Sequence, residues 1–397
     1  FTSFRMTFNM KKTIITLLLL AVASAAFAQS QRSETILKEW EFRKGHDIEA
    51  TEGWEAVSVP HDWAIYGPFD KANDLQTVAV VQNGEDVATE KTGRTGGLPY
   101  MGKGAYRRTL DIKADELDGR RHILMFDGAM SEAQVFVNGG KVCFWPYGYN
   151  SFHCDVTGQL KEGSNDIVVL LENREQSSRW YPGAGLYRKV RHITQPQVHV
   201  PVWGTYVTTP HIGKEHAVVS VRTKIEGVEK GSAVTLKTRI LDAGGHAVAC
   251  VTDTRLLHFG EIEQTLTVEN PTLWSPESPV MYFVETEVYA GGSVNTDWNM
   301  DRPEISIADG TVPCDKVSTR FGFRTIEIIP DKGFFLNGEA RKFRGVCLHH
   351  DLGPLGAAIN KAALRRQLTM LKDMGCDAIR TSHNMPAEEL IELCDEM

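Results

Sequence analysis

The sequence predicts a multidomain β plus α/β fold: a jelly-roll β-sandwich, a second β-sandwich, and then the start of a (β/α) barrel. Three observations carry that prediction. From Trp40 to Ile193, short β-rich runs alternate with Gly, Asn and Asp turns, and no helical period intervenes. From Gln197 to Arg324, further alternating runs recur at sandwich spacing. After Phe323 the pattern switches to strand, helix, strand, helix with short links, which is how parallel β/α units read.

At 397 residues the chain exceeds one ordinary domain. Its composition, 42% hydrophobic and 24% charged, is that of a folded protein. A formal charge of −8, with no basic stripe to set against it, argues against a nucleic-acid partner, and no run of the mature chain is long enough to span a bilayer. The N-terminus reads as a targeting signal. Met10-Lys11-Lys12 is its positive start, Ile14 to Val22 its apolar core, and Ala26-Phe27-Ala28 a cleavage site before Gln29. Residues 1–28 are therefore set apart from the fold, with 1–9 ahead of the expected start. The product is expected to be exported across a bacterial inner membrane, to the periplasm or beyond, after cleavage near Ala28. Export permits disulfides, yet seven Cys without a C-x-x-C pair make neither a disulfide framework nor a zinc site. Most of them are expected as small core residues.

Within 29–195 the predicted strands are Gly104 to Ile112, Arg121 to Phe126, Ala133 to Val137, Lys141 to Trp145 and Asp166 to Leu171. Asn138-Gly139 predicts a hairpin turn, because both residues tolerate positive φ. Asp70 to Pro99 is polar and aperiodic, as a surface insertion would be. Within 196–322, Val218 to Ile225, Ala233 to Asp242, Gln264 to Val268 and Val280 to Val288 alternate, and Gly291 to Pro313 is a second polar excursion. Residues 323–397 open on a predicted hairpin, Phe334 to Leu336 and Lys342 to Leu348 about the turn Asn337-Gly338. Asn360 then caps a helix with Leu364, Leu368 and Leu371 on one face, and Gly375 ends it. Cys376 to Arg380 follows as a strand. Pro386 suits the first turn of a second helix, with Glu388 and Glu389 favourable at its positive end and Leu390, Ile391, Cys394 and Met397 facing inward. A full barrel needs roughly 250 residues; about two of its eight units are present here.

Three clusters are candidates for chemistry. His349, His350 and Asp351 follow the first barrel strand. Adjacent side chains on a strand point to opposite faces, which weighs against a metal site built from all three. A histidine bonded to a backbone carbonyl and a histidine holding a polar ligand at the mouth are the other two readings. Arg380, with His383 and Asn384, follows the second strand, where a barrel puts its reactive groups. One reading buries Arg380 among barrel carboxylates as a rigid tie, the other sets it at the substrate, and the two are compatible. In Ser178 to Arg188, Trp180 and Tyr181 lie beside Pro182, Gly183 and Gly185, forming either a sugar-stacking surface or a packing anchor between domains. There is no G-x-S-x-G, P-loop or G-x-G-x-x-G. The 51 acidic residues offer no spacing from which a catalytic pair can be chosen.

Five motifs in order, SRWYPGAGLYR (178–188), LWSPESPVMY (273–282), FGFRTIEI (321–328), FFLNGEARKFRGVCLHHDLG (334–353) and AIRTSHNMP (378–386), resemble those of glycoside hydrolase family 2, the β-galactosidase family. PHDWAIYGPFD (60–70) and YGYNSFHCDVTGQLKEGSN (147–165) agree with its N-terminal sugar-binding sandwich. The resemblance implies a jelly roll, an immunoglobulin-like sandwich and a catalytic TIM (β/α)8 barrel, in that order. It also implies a retaining exo-glycosidase, in which one Glu protonates the glycosidic oxygen and another attacks the anomeric carbon. Both Glu residues are implied on later barrel strands, beyond Met397, so no catalytic residue is assigned and these 397 residues alone are expected to be inactive. What carries over is a substrate-binding shell: His349 after the first strand, Arg380 and His383 after the second, with Asn384 and Trp180 beside them. Cys347-Leu348 stands where many relatives have Asn followed by a basic residue. That departure tilts the expected substrate from a uronic acid to a neutral β-galactoside in an oligosaccharide or glycan. A β-glucuronidase, a β-mannosidase and a non-catalytic carbohydrate-binding protein are the alternatives. The residues indicate no cofactor. A Mg²⁺ or Na⁺ ion near the site is implied by the resemblance alone, with ligands largely further along.

Overall fold

The computed structural model describes residues 32–70, 72–73, 75–76, 92–93, 99–175, 177, 181–257, 260–290, 294–297, 304–307 and 310–397. The expected leader and most of the two polar excursions lie outside the described residues.

Period-two burial builds the first sandwich. Along Gly163–Asn173, the side chains of Asn165, Ile167, Val169, Leu171 and Asn173 turn inward while their neighbours face out. That strand pairs antiparallel with Gly102–Ile112 over its whole length and with Ala133–Val137. Glu39–Lys44, Glu55–Ser58 and Gly140–Trp145 complete a six-stranded sheet. A four-stranded sheet faces it, ordered Ser33–Ile36, Val190–Pro196, Arg120–Phe126, Phe152–Asp155. Trp40, Phe42, Trp63, Tyr106, Phe126 and Leu186 help fill the space between, and a large apolar side chain buried in this way contributes on the order of 1.5–3 kcal/mol. The Asn138-Gly139 turn has φ of 50° and 80°, the doubly left-handed geometry of a two-residue hairpin.

The second, immunoglobulin-like sandwich sets Thr205–Ile212, His216–Lys224 and Glu261–Glu269 against Ala247–Leu256, Ala233–Leu241, Tyr282–Ala290 and Asp315–Phe321. Val219, Val221, Ile240, Leu266 and Val284 lie between its sheets. One expectation about the cysteines is corrected in the sandwiches. Cys143 and Cys154 form a disulfide between strands of the two sheets of the first sandwich, and Cys250 and Cys347 are exposed. Outward registers, which the spacing of Cys residues does not reveal, account for the exposure of Cys250 and, on a barrel strand, Cys347, while the disulfide lies inward, with Cys154 in the core.

The last part differs in kind. Strands β1 (Gly345–Leu348) and β2 (Ala378–Thr381) run parallel, joined through helix α1 (Lys361–Asp373) and followed by helix α2 (Glu388–Glu396). Asn360 Oδ1 accepts the Ala363 N–H at 3.0 Å, capping α1, and Gly375 follows its end at φ 88°. Leu364 and Leu368 meet Leu390 and Leu393 between the helices. Three details depart from the sequence pattern. The Asn337-Gly338 hairpin is closed by Glu339–Ala340, because the backbone from Gly345 onward pairs with β2 instead. Pro386 precedes the cap of α2, Ala387, rather than opening the helix. Leu393 rather than Ile391 faces inward, since it lies on the same helical face as Leu390 while Ile391 is 46% exposed.

Ionic contacts mark the joins. Arg32 pairs with Asp315 at 2.8 Å between the sandwiches. Arg320 reaches Asp395 at 3.0 Å and Glu396 at 3.1 Å, tying the second sandwich to α2. Among the described residues, no helix is long and apolar enough to cross a membrane.

Candidate active site at the barrel mouth

β1 and β2 end side by side, and the Ser382 N–H donates to the Leu348 carbonyl at 2.8 Å just past them. The residues after both strands therefore emerge at one mouth. His349 and His383 meet there edge to face, with ring centroids 5.8 Å apart. Arg380 is exposed; its Nη1 donates to Ser382 Oγ at 2.9 Å and lies 3.8 Å from Cys347 Sγ. The guanidinium, followed by the Ser382 hydrogen bond, draws the Cys347 thiol below its ordinary pKa. Within these two barrel units, the neighbouring strand brings Arg380 a thiol and its own strand end a hydroxyl. Asn384 is held from another domain, its Oδ1 accepting the hydroxyl of Tyr147 at 2.9 Å.

His350 turns the other way. Its Nε2 donates to the Pro182 carbonyl at 2.9 Å, and its ring meets the edges of Tyr149 and Tyr187 at 5.1 and 6.3 Å. Burial pushes its pKa down, with the Pro182 carbonyl opposing the shift. Extended backbone sends adjacent side chains to opposite faces, so His349 and His350 do not converge on one ion. Among the described residues, no group of three or more His, Cys, Asp or Glu is placed to hold a metal. The resemblance puts the ligands of a Mg²⁺ or Na⁺ largely further along the chain, and no step is assigned to such an ion here.

Behind the mouth lies a joint between the first sandwich and the barrel segment. Asp62 Oδ1 accepts the N–H groups of Ala64 and Ala184 at 3.0 and 2.9 Å. Its Oδ2 accepts the Ala357 N–H at 2.8 Å and the Tyr181 hydroxyl. Burial raises the pKa of this carboxyl, and the four hydrogen bonds oppose that rise. Two glycines permit the approach. A Cβ on Gly356 would stand 2.4 Å from Asp62 Oδ2, and one on Gly183 would stand 2.3 Å from Ala357 Cβ. Arg188 adds donors to the carbonyls of Met385 and Tyr149 at 2.7 and 3.1 Å.

Of the sequence-predicted residues, His349 and His383 meet, His349 and Asn384 line one cavity, and Arg380 bonds Ser382 at the end of the second strand, while Trp180 lies outside the described residues. Its neighbour Tyr181 takes the anchoring role through Asp62. Sequence reasoning missed Asp62, Tyr147 and Arg188 as parts of the site. Their signal was the glycine-flanked aromatic runs that contain them, which carry no mark of a distant partner.

Three models of one family match the chain in order. The sugar binding domain of glycosyl hydrolases family 2 matches residues 25–196, a second model of that family 198–301, and its TIM barrel domain 327–397. A β-galactosidase of Bacteroides ovatus is 36% identical across 95% of this chain and 41% of its own length. A β-glucuronidase of Bacteroides fragilis is 26% identical across 97% of this chain and 51% of its own. A solved member of the family from Bacteroides cellulosilyticus superposes with a TM-score of 0.77 at 30% identity, covering 91% of this chain and 44% of that one. The chain thus spans about two-fifths to one-half the length of these relatives.

Proposed function

The chain belongs to glycosyl hydrolase family 2, and from that premise we propose that it supplies the two sandwiches and first barrel units of a retaining exo-glycosidase acting on terminal β-galactosides. The observation that carries this reading is the placement of His349, Arg380, His383 and Asn384 at the ends of two parallel strands, with His349 against His383. Imidazole, guanidinium and amide groups are suited to the hydroxyls of a pyranose. The reaction further requires two carboxyl groups about 5–5.5 Å apart, and this reading takes both from barrel strands after Met397.

Of residues 347–351 and 380–384, Arg380 alone carries a guanidinium or ammonium group, and it already bonds Ser382. A uronate carboxylate favours a cation directed at it, and the ends of these first two strands offer no second one, which supports a neutral sugar as far as they line the site. Leu348 lines one cavity together with His349, His350 and Asn384, where a basic residue would have offered a uronate a cation. The leader motif and the Cys143–Cys154 disulfide both support export to an oxidising compartment. A β-glucuronidase is the second reading, favoured by the Bacteroides fragilis relative.

The test is a panel of 4-nitrophenyl β-galactoside, β-glucuronide and β-mannoside with the full-length protein carrying this chain. The galactoside should show the highest kcat/KM; a higher value for the glucuronide reverses the assignment. The 397-residue chain alone should turn over none of them, and turnover by it would overturn the placement of the reacting carboxylates.

A further inference from the structure

The loop from Pro146 to Ser151 leaves one sheet of the first sandwich and enters the other, between Gly140–Trp145 and Phe152–Asp155. Three features hold it in one shape. The Cys143–Cys154 disulfide clasps its two ends, with the Cα atoms 6.1 Å apart. The Gly148 carbonyl accepts the hydroxyl of buried Tyr187 at 2.8 Å, and a Cβ on Gly148 would stand 2.4 Å from Met130 Sδ. The Tyr149 carbonyl accepts from Arg188, whose other nitrogen binds Met385 in the strand-end segment. Tyr147, between these fixed points, is 46% exposed and spends its hydroxyl on Asn384.

We infer that Tyr147 is a positioning residue of the sugar site: it orients Asn384, and the disulfide-clasped loop keeps it there. An Asn amide has one acceptor and two donors. With Oδ1 engaged by Tyr147, the amide cannot flip without losing that bond, and its N–H donors are the part left to meet a sugar hydroxyl. An exposed Asn without this partner would sample several rotamers, and binding would then bear the cost of ordering it. The first sandwich therefore contributes to substrate affinity across the domain boundary, without touching the reacting atoms. This inference rests on the glycosidase reading above.

The test uses the full-length protein and whichever aryl β-glycoside of the panel it hydrolyses best. Tyr147→Phe should raise KM about three- to tenfold, the worth of one hydrogen bond, with kcat within about twofold and an unchanged melting temperature. Asn384→Ala should raise KM as well, and Tyr147→Phe should add nothing on that background, the signature of a residue acting through another. The double variant Cys143→Ser, Cys154→Ser should raise KM in the same direction. An unchanged KM in Tyr147→Phe, effects additive with Asn384→Ala, or a joint fall of kcat and melting temperature would overturn the inference. Hydrolysis of the glucuronide alone would overturn only the choice of sugar, since the same variants are then read on that substrate. No hydrolysis of any panel member would overturn both.

Discussion

His350 and His349 are adjacent in the chain, yet one ends in a buried joint and the other at an open mouth. In the joint, His350 bonds a carbonyl, Asp62 accepts four hydrogen bonds and Arg188 spans two backbone segments. At the mouth, Arg380 and His383 are exposed, and Arg380 holds only light contacts to a hydroxyl and a thiol. A buried polar group is costly unless its partners are supplied by the fold, so the joint is saturated. Groups that take a ligand need no such saturation, and the mouth is formed here by the ends of two barrel strands. The joint maintains the geometry of the mouth, and each region should answer to mutation in its own way.

Asp62→Ala should show the largest effect. It strips the acceptor from three backbone N–H groups and the Tyr181 hydroxyl, at a cost on the order of 3–5 kcal/mol. A fall in the urea midpoint of the full-length protein measures this; a midpoint like that of the wild type would make the joint as tolerant as the mouth and end the contrast. Arg380→Ala should do the reverse, leaving the midpoint nearly unchanged while lowering kcat/KM about 100-fold. A large stability loss there would move Arg380 into the joint.

The smallest effect is a pH dependence that separates the two histidines. Burial depresses the pKa of His350 below 6.5, so the folded state binds fewer protons than the unfolded one. Its contribution is present above about pH 6.5 and is lost as the pH falls toward the folded value. The difference in urea midpoint between wild type and His350→Phe should therefore shrink from pH 7 to pH 5. A constant difference would show that burial does not hold this ring neutral.

Much of this was readable from the chain because it is local. Alternation over a few residues marks the long strands, Asn138-Gly139 marks a turn by its own allowed backbone angles, and Asn360 caps a helix three residues away. The meeting of His349 and His383 also followed from the pattern, since parallel β/α units deliver their strand ends to one side. The short edge strands, such as Ser33–Ile36, lie below the length at which a period can be seen.

By itself, then, the sequence determined the kinds of element, their order, and the side of the barrel on which polar groups emerge, because each depends on neighbours within a turn or a strand. Only the tertiary structure decided which of two adjacent histidines faces the mouth. It alone set Asp62 against Ala357 across 295 residues and Tyr147 against Asn384 across 237. Such contacts form where separately folded surfaces meet, and a carboxylate or hydroxyl carries no local mark of the distant donor or acceptor that will satisfy it.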